Sequence, residues 1–541
     1  MQRPIPQLVI FAAIVVAAAA LLPTASSPPI QLSRPMLTRV ATNTASAIDD
    51  TNSKANAHNV GARTCASSTC HGSPRPDTEH ANMIRRDEYI IWLDQDPHAR
   101  AFTDLNSRLG KQIFEKLGLT RNGNVSRDNK ARYQSTYNNC LQCHATTIEA
   151  INKKGELETI ATEGISCESC HGEASNWRTT HYTTNFTGLS TAQKSEQGLT
   201  NVGNLWERTN ACVKCHVGSA TAEVNHDLIA AGHPVLKFEM TAYSAQMPAH
   251  WKSRPVSNAT EKHRETHLWL MGQFSSLTAS LEQLQARATR AENAPAPDSQ
   301  LHQVWPELSE SNCYACHHDL DVFDTWRPSI ADPQISHKHL LAVNDWYACA
   351  LALIAQIDGR AGNKTAQRFA ENWQLLTTSM QRTLSPDPAE VASRCRATLS
   401  ALNEWLSSSN PNNKQGHHPY DHQQLVDLTA AAMQDDGLNH ILQNWDRATQ
   451  TYLAVYAFSS TLDEEGNTAV AASKSLRTTR DLLAFPHHTD FRFASPTNFK
   501  GVLKPIESSE PPESGANNRS KIRSELLKII NQLKPPVSQD K

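Results

Sequence analysis

Apolar residues are spread unevenly along the 541-residue chain. A continuous apolar run from Leu8 to Leu22 follows one early charge, Arg3, and precedes the small residues Thr24-Ala25-Ser26. That order describes an export signal over residues 1–27, either cleaved or retained as an N-terminal anchor, since the run falls short of the roughly 20 residues of a comfortable membrane span. Residues 28–57 are Pro, Ser, Thr, Asn and Ala without period, and predict a flexible linker. From about residue 331 a helical period sets in. Leu340–Ile357, Lys364–Leu384, Pro388–Ser407, Gln423–Thr461 with a break near Gly437, and Asn467–Ala484 carry apolar residues at helical spacing. Pro386, Pro388 and the Gly416-His-His-Pro419 stretch punctuate them. These segments predict an all-helical bundle of four to six helices over 331–504. A polar tail over 505–541 follows, with one amphipathic segment at Lys521–Leu533.

The intervening stretch, 58–330, is marked by cysteine and histidine. It holds Cys140-Leu-Gln-Cys143-His144, Cys167-Glu-Ser-Cys170-His171, Cys212-Val-Lys-Cys215-His216 and Cys313-Tyr-Ala-Cys316-His317, preceded by Cys65-Ala-Ser-Ser-Thr-Cys70-His71. With 12 Cys and 24 His in the chain, chance would supply about 0.01 matches to CxxCH. The pattern is that of covalent c-type haem. Two thiols reach the two vinyl groups on one porphyrin edge while the next imidazole turns under the ring to the iron. Paired zinc ligands do not require a histidine after every second cysteine, and a thioredoxin-like motif would be single. The Cys65–Cys70 spacing is two residues longer than the rest, so that site reads as haem-bearing or as a degenerate relic. Haem c, four copies with a fifth at Cys65 and Cys70, is the expected cofactor.

A segment so rich in cofactor builds its core partly from porphyrin, which predicts a mainly α, loop-rich domain of short helices with little sheet. The 39% apolar content fits that expectation. A net charge of −3 and a pI near 6.8 give no warrant for nucleic-acid binding, although local patches could steer a redox partner. Cys349 and Cys395 lie outside the motifs and suggest either a disulfide or two independent buried thiols.

Each motif histidine (His71, His144, His171, His216, His317) fills one axial position, so the opposite face decides function. Two imidazoles give an electron-transfer centre, whereas an open face can bind and reduce a small molecule. Nine further histidines of the haem segment are candidates for that opposite face: His80, His98, His181, His226, His233, His250, His263, His267 and His318. His226 and His233 are seven apart, the spacing of two helical turns on one face.

The segment Gly164 to His181, the Asp96-Pro-His-Ala-Arg-Ala-Phe102 stretch, His226-Asp-Leu-Ile-Ala-Ala-Gly-His-Pro234 and Cys313-Tyr-Ala-Cys-His-His-Asp-Leu320 resemble multihaem cytochromes c of the cytochrome c-554 superfamily. The resemblance spans roughly residues 60–325. It implies closely stacked, mostly bis-histidine haems, with His98, His181, His226 and His233 as distal ligands and His318 and His250 as further candidates. The chain departs from the tetrahaem member in carrying five sites and a long helical region. It lacks the CxxCK catalytic site common in related ammonia-forming nitrite reductases and the eight sites of the hydroxylamine oxidoreductases. The leading expectation is a periplasmic or exported electron-transfer cytochrome taking electrons from a quinol-side donor or another cytochrome. The alternative is an oxidoreductase acting on a nitrogen or sulfur compound at one five-coordinate haem, with Cys65–His71 as its candidate. A third expectation gives the helical region either a partner-docking role or that of structural cladding.

Overall fold

The computed structural model describes residues 57–77, 84–151, 157–252, 256, 259–293, 304–312, 341–408, 419–434, 441, 445–462, 468–470, 474–483 and 516–534. The apolar run Leu8–Leu22 and the motif Cys313–His317 with His318 lie outside these residues, as does His80. Among the described residues no helix is long and apolar enough to cross a membrane.

The architecture is mainly α. In chain order, α1 spans Glu88–Gln95, α2 Arg108–Lys116 and α3 Lys130–His144. An antiparallel hairpin follows, β1 at Thr146–Ile151 and β2 at Leu157–Glu163. Next come α4 at Cys167–His171, α5 at Leu205–His216, α6 at His226–Ala231 and α7 at Met240–Gln246. Three of the four described motifs therefore close a helix: α3, α4 and α5 each end on the motif histidine. That placement is useful, because cysteines three apart share a helix face and the histidine sits beside them.

The long helix α8, Arg264–Glu292, differs from the short elements expected of this segment. It is a wall shared by two cores. Leu268 and Ala279 pack with Val213, Val217 and Phe238 beside α5, whereas Trp269, Phe274 and Leu281 enter the large helical core. Because nearly every face is covered, buried polar residues such as Thr266, Gln273 and Ser276 interrupt any amphipathic stripe.

The remaining helices share one large core with α8. They are α9 Cys349–Arg360, α10 Lys364–Gln381, α11 Pro388–Ser407, α12 His422–Gln434, α13 Trp445–Phe458, α14 Lys474–Leu482 and α15 Ala516–Leu533. Helix α11 shows why these segments fold as they do. Asp387 caps it by accepting the Ala389 N–H at 3.1 Å, Pro388 presets its first turn, and Val391, Cys395, Thr398, Leu402 and Trp405 recur on one fully buried face. Trp405 stacks on Phe369 and donates its indole N–H to Tyr420 Oη at 2.9 Å. Buried ion pairs tie the regions together: Lys237 to Asp446, and Arg287 to both Glu223 and Glu310.

The disulfide considered for Cys349 and Cys395 is not formed; both are free thiols. Cys395 faces the core from α11, and the Cys349 thiol turns to the Trp346 carbonyl at 3.8 Å. Burial pushes both thiols up, so each behaves as a small apolar side chain.

Candidate functional site

The Cys65 motif absorbs its two extra residues in a tight turn. Both Cys70 N–H and Gly72 N–H donate to Ser67 O at 2.9 Å, so the four-residue link folds back on itself. Gly72 is required there, since a Cβ would lie 2.0 Å from Ala66 O. The equivalent glycine after His171 is under the same demand. Gly172 has φ +87°, and a Cβ on it would lie 2.0 Å from Gly198 O. Gly172→Val is therefore expected to cost at least about 3 kcal/mol, from left-handed strain plus backbone overlap, and chemical denaturation measures it.

Glu168, a variable position of the Cys167 motif, positions the segment before Cys65. Its buried carboxylate accepts the N–H of Val60 at 2.9 Å, of Gly61 at 2.7 Å and of Ala174 at 2.8 Å. Glu163 adds the Ala62 N–H at 3.0 Å. These contacts bring the first and third motifs together, with the thiols of Cys65 and Cys167 as neighbours. The Cys215 thiol donates to Gln142 O at 3.7 Å, next to Cys143, and so joins the second and fourth motifs. Cys170 lies near Cys212 and Cys215, which joins the third motif to the fourth.

The described motif histidines each face a histidine from outside the motifs. His71 and His181 have ring centres 6.1 Å apart, His144 and His233 6.3 Å, His171 and His250 6.3 Å, and His216 and His98 5.9 Å. Two imidazoles bound to opposite sides of one metal ion through bonds of about 2 Å place their centres about 6 Å apart. The residues present therefore fit a six-coordinate iron at each of these four positions. The ring planes differ: 17° for His71 and His181, but 81°, 75° and 77° for the other three pairs in the order given.

Hydrogen bonds fix most of these rings. Nδ1 of His144 donates to Ala101 O at 2.9 Å, of His181 to Arg178 O at 2.8 Å, of His233 to Pro234 O at 2.8 Å and of His250 to Pro248 O at 3.4 Å. A donating Nδ1 leaves the Nε2 lone pair for a metal. Two rings have carboxylate partners instead: His71 Nδ1 to Glu88 Oε2 at 3.2 Å and His98 Nδ1 to Asp96 Oδ1 at 2.9 Å. The Glu88 and Asp96 partners raise the pKa of these two rings above the usual imidazole value. Burial pushes the Glu88 and Asp96 carboxyls up, yet the imidazole and backbone donors outweigh it and hold both below the ordinary range. Burial takes His171 and His216 down to about 4, so both remain neutral, the ligating form.

His226 opens α6 with its N–H on Glu307 Oε1 at 2.8 Å, and it is opposite none of the four described motif histidines. The two-turn argument for His226 and His233 fails on the backbone. α6 ends at Ala231 and Gly232 takes a left-handed φ of 117°, so His233 lies beyond the helix. His263 stacks directly on His422 at 3.8 Å, too close for an ion between the rings. Among the described residues no group of three or more His, Cys, Asp or Glu converges as a tetrahedral zinc site would. Sequence reasoning gave no weight to Glu88, Asp96 or Glu168, since a single acidic residue carries no motif.

The family model described as cytochrome c554 and c-prime matches residues 64–172, about a fifth of the chain, from beside Cys65 through Gly172. The motif-based resemblance thus holds over three of the five cysteine-pair motifs. No curated protein and no solved structure matches the chain. Covalently bound haem c is the cofactor the matching family implies, and a c-type cytochrome with a redox role is its functional class.

Proposed function

We propose that the chain is an exported multihaem cytochrome that carries electrons between redox proteins in the periplasm, rather than an enzyme. The observation that supports it is the opposition of His71, His144, His171 and His216 to His181, His233, His250 and His98 at 5.9–6.3 Å. When bound, each haem supplies a one-electron Fe(III)/Fe(II) couple. The chain's own residues do the rest. Cys65 and Cys70, Cys140 and Cys143, Cys167 and Cys170, Cys212 and Cys215, and by motif Cys313 and Cys316, would hold the groups covalently. The paired imidazoles would occupy both axial positions and exclude substrate from those irons.

The Cys65 site, the sequence's candidate reactor, has His181 over it, which favours relay over catalysis. The thiol contacts favour a line of neighbours running from the first motif to the third, the fourth and then the second. Donor and acceptor would be a quinol-side protein or another cytochrome.

Pyridine haemochrome analysis of the purified protein is expected to give at least four haems per chain. At most one of them, that of Cys313–His317, should respond to carbon monoxide, nitrite or hydroxylamine in the optical spectrum. Two or more responding haems would overturn the relay reading.

A further inference from the structure

The eight facing histidines divide sharply by what their outer nitrogen touches. His144, His181, His233 and His250 donate to neutral backbone carbonyls, and no hydrogen bond from the rings of His171 or His216 is found among the described residues. Among the described residues only His71 and His98 meet an anion. Their carboxylates are shielded: Asp96 is 5% exposed and Glu88 16%. Among the described residues neither charge is cancelled by a basic side chain in hydrogen-bonding contact. Arg85 turns its guanidinium to Asp87 at 3.0 Å and gives Glu88 only its backbone N–H, at 2.6 Å. Among the described residues Asp96 accepts its second bond from the His98 backbone N–H, at 3.0 Å.

We infer that Glu88 and Asp96 are potential-setting residues, which make the His71/His181 and His98/His216 positions the two low-potential centres among the four. This rests on the bis-histidine reading above. An imidazole donating to a carboxylate takes on imidazolate character and becomes a better electron donor through its other nitrogen. It therefore favours the ferric state, which carries one positive charge more than the ferrous one. The field of a shielded carboxylate acts in the same direction, strengthened by the low local dielectric. The His144/His233 and His171/His250 positions have only neutral acceptors and sit higher. Along the line of neighbouring thiols the potentials then alternate low, high, low, high. Such a profile holds electrons on the third- and second-motif centres, with the fourth-motif centre as the uphill step between them.

The test is spectroelectrochemical titration of the holoprotein and of Glu88→Gln and Asp96→Asn. Both replacements are isosteric and still accept the Nδ1 proton, and Asn keeps the helix-capping role of Asp96. Each is expected to shift the ferric-to-ferrous ratio of one titrating component at least tenfold toward ferrous, a rise of about 59 mV for a one-electron couple. The low-spin spectrum and the His144/His233 component should stay in place. The His171/His250 component, whose His250 ring both carboxylates also reach, should move less than the component of the altered pair. Glu88→Asp, which keeps the charge, should move the potential less than Glu88→Gln. A change below threefold with the low-spin spectrum intact overturns the assignment for that residue. A wild-type protein in which these haems are high-spin, or absent, overturns the bis-histidine reading instead.

Discussion

Glu168→Ala is expected to destabilise the folded protein by about 3–5 kcal/mol, and to reduce haem attachment at the first motif selectively. The carboxylate is 4% exposed and collects three backbone N–H groups from two separated segments, Val60 and Gly61 on one side and Ala174 on the other. Alanine leaves those donors without an acceptor in a site too tight to hydrate each of them, and an unsatisfied buried donor costs about 1–3 kcal/mol. Glu168→Gln is the informative partner. Its one carbonyl can serve two of the three donors, so its loss should be about half as large. Denaturant unfolding gives the stability, and mass spectrometry of peptides spanning Cys65–His71 gives the attachment. A loss below about 1 kcal/mol for alanine would show that the first and third motifs are held together by other contacts.

That prediction also marks where the sequence was informative and where it was not. Helix α11 follows the predicted Pro388–Ser407 because its cap, its proline and its apolar period are all local. The helix expected from Leu340 begins only at Cys349. The residues before it are held by contacts from a distant segment: Ser311 bridges Val343 and Asn344 N–H donates to Glu310 O at 2.8 Å. Helix α8 has no stripe to read because its surroundings are almost entirely protein. The same distinction governs the site. The proximal residues announce themselves through spacing, since thioether chemistry requires it. The facing histidines are brought in by the fold, and a ring such as His250, within Pro248-Ala-His-Trp251, carries no local signature of what it will face. His98 and His181 stood out by neighbouring sequence, whereas their carboxylate and carbonyl partners follow only from the three-dimensional arrangement.

His181→Ala is expected to remove one particular low-spin signal from the electron paramagnetic resonance spectrum of the oxidised protein and leave the rest. The reason lies in the ring planes. His71 and His181 are within 17° of parallel, so both imidazoles would act on the same iron dπ orbital and split it from its partner, giving a rhombic spectrum. In the pairs His144/His233, His171/His250 and His216/His98 the planes cross at 75–81°, so each ring would act on a different dπ orbital. The two orbitals then remain close in energy, and the signal becomes highly anisotropic with an extreme largest g value. Among these four centres the spectrum should hold one rhombic and three highly anisotropic components. Removing His181 takes away a strong-field ligand that no described neighbour replaces: Trp177 and Tyr182 meet that ring edge-on and offer no imidazole. One centre's worth of rhombic signal should be replaced by a high-spin component that binds carbon monoxide, while the three anisotropic components persist. If the rhombic signal survives at full intensity, His181 is not its ligand; if an anisotropic one disappears instead, the ring angles have been attached to the wrong pair.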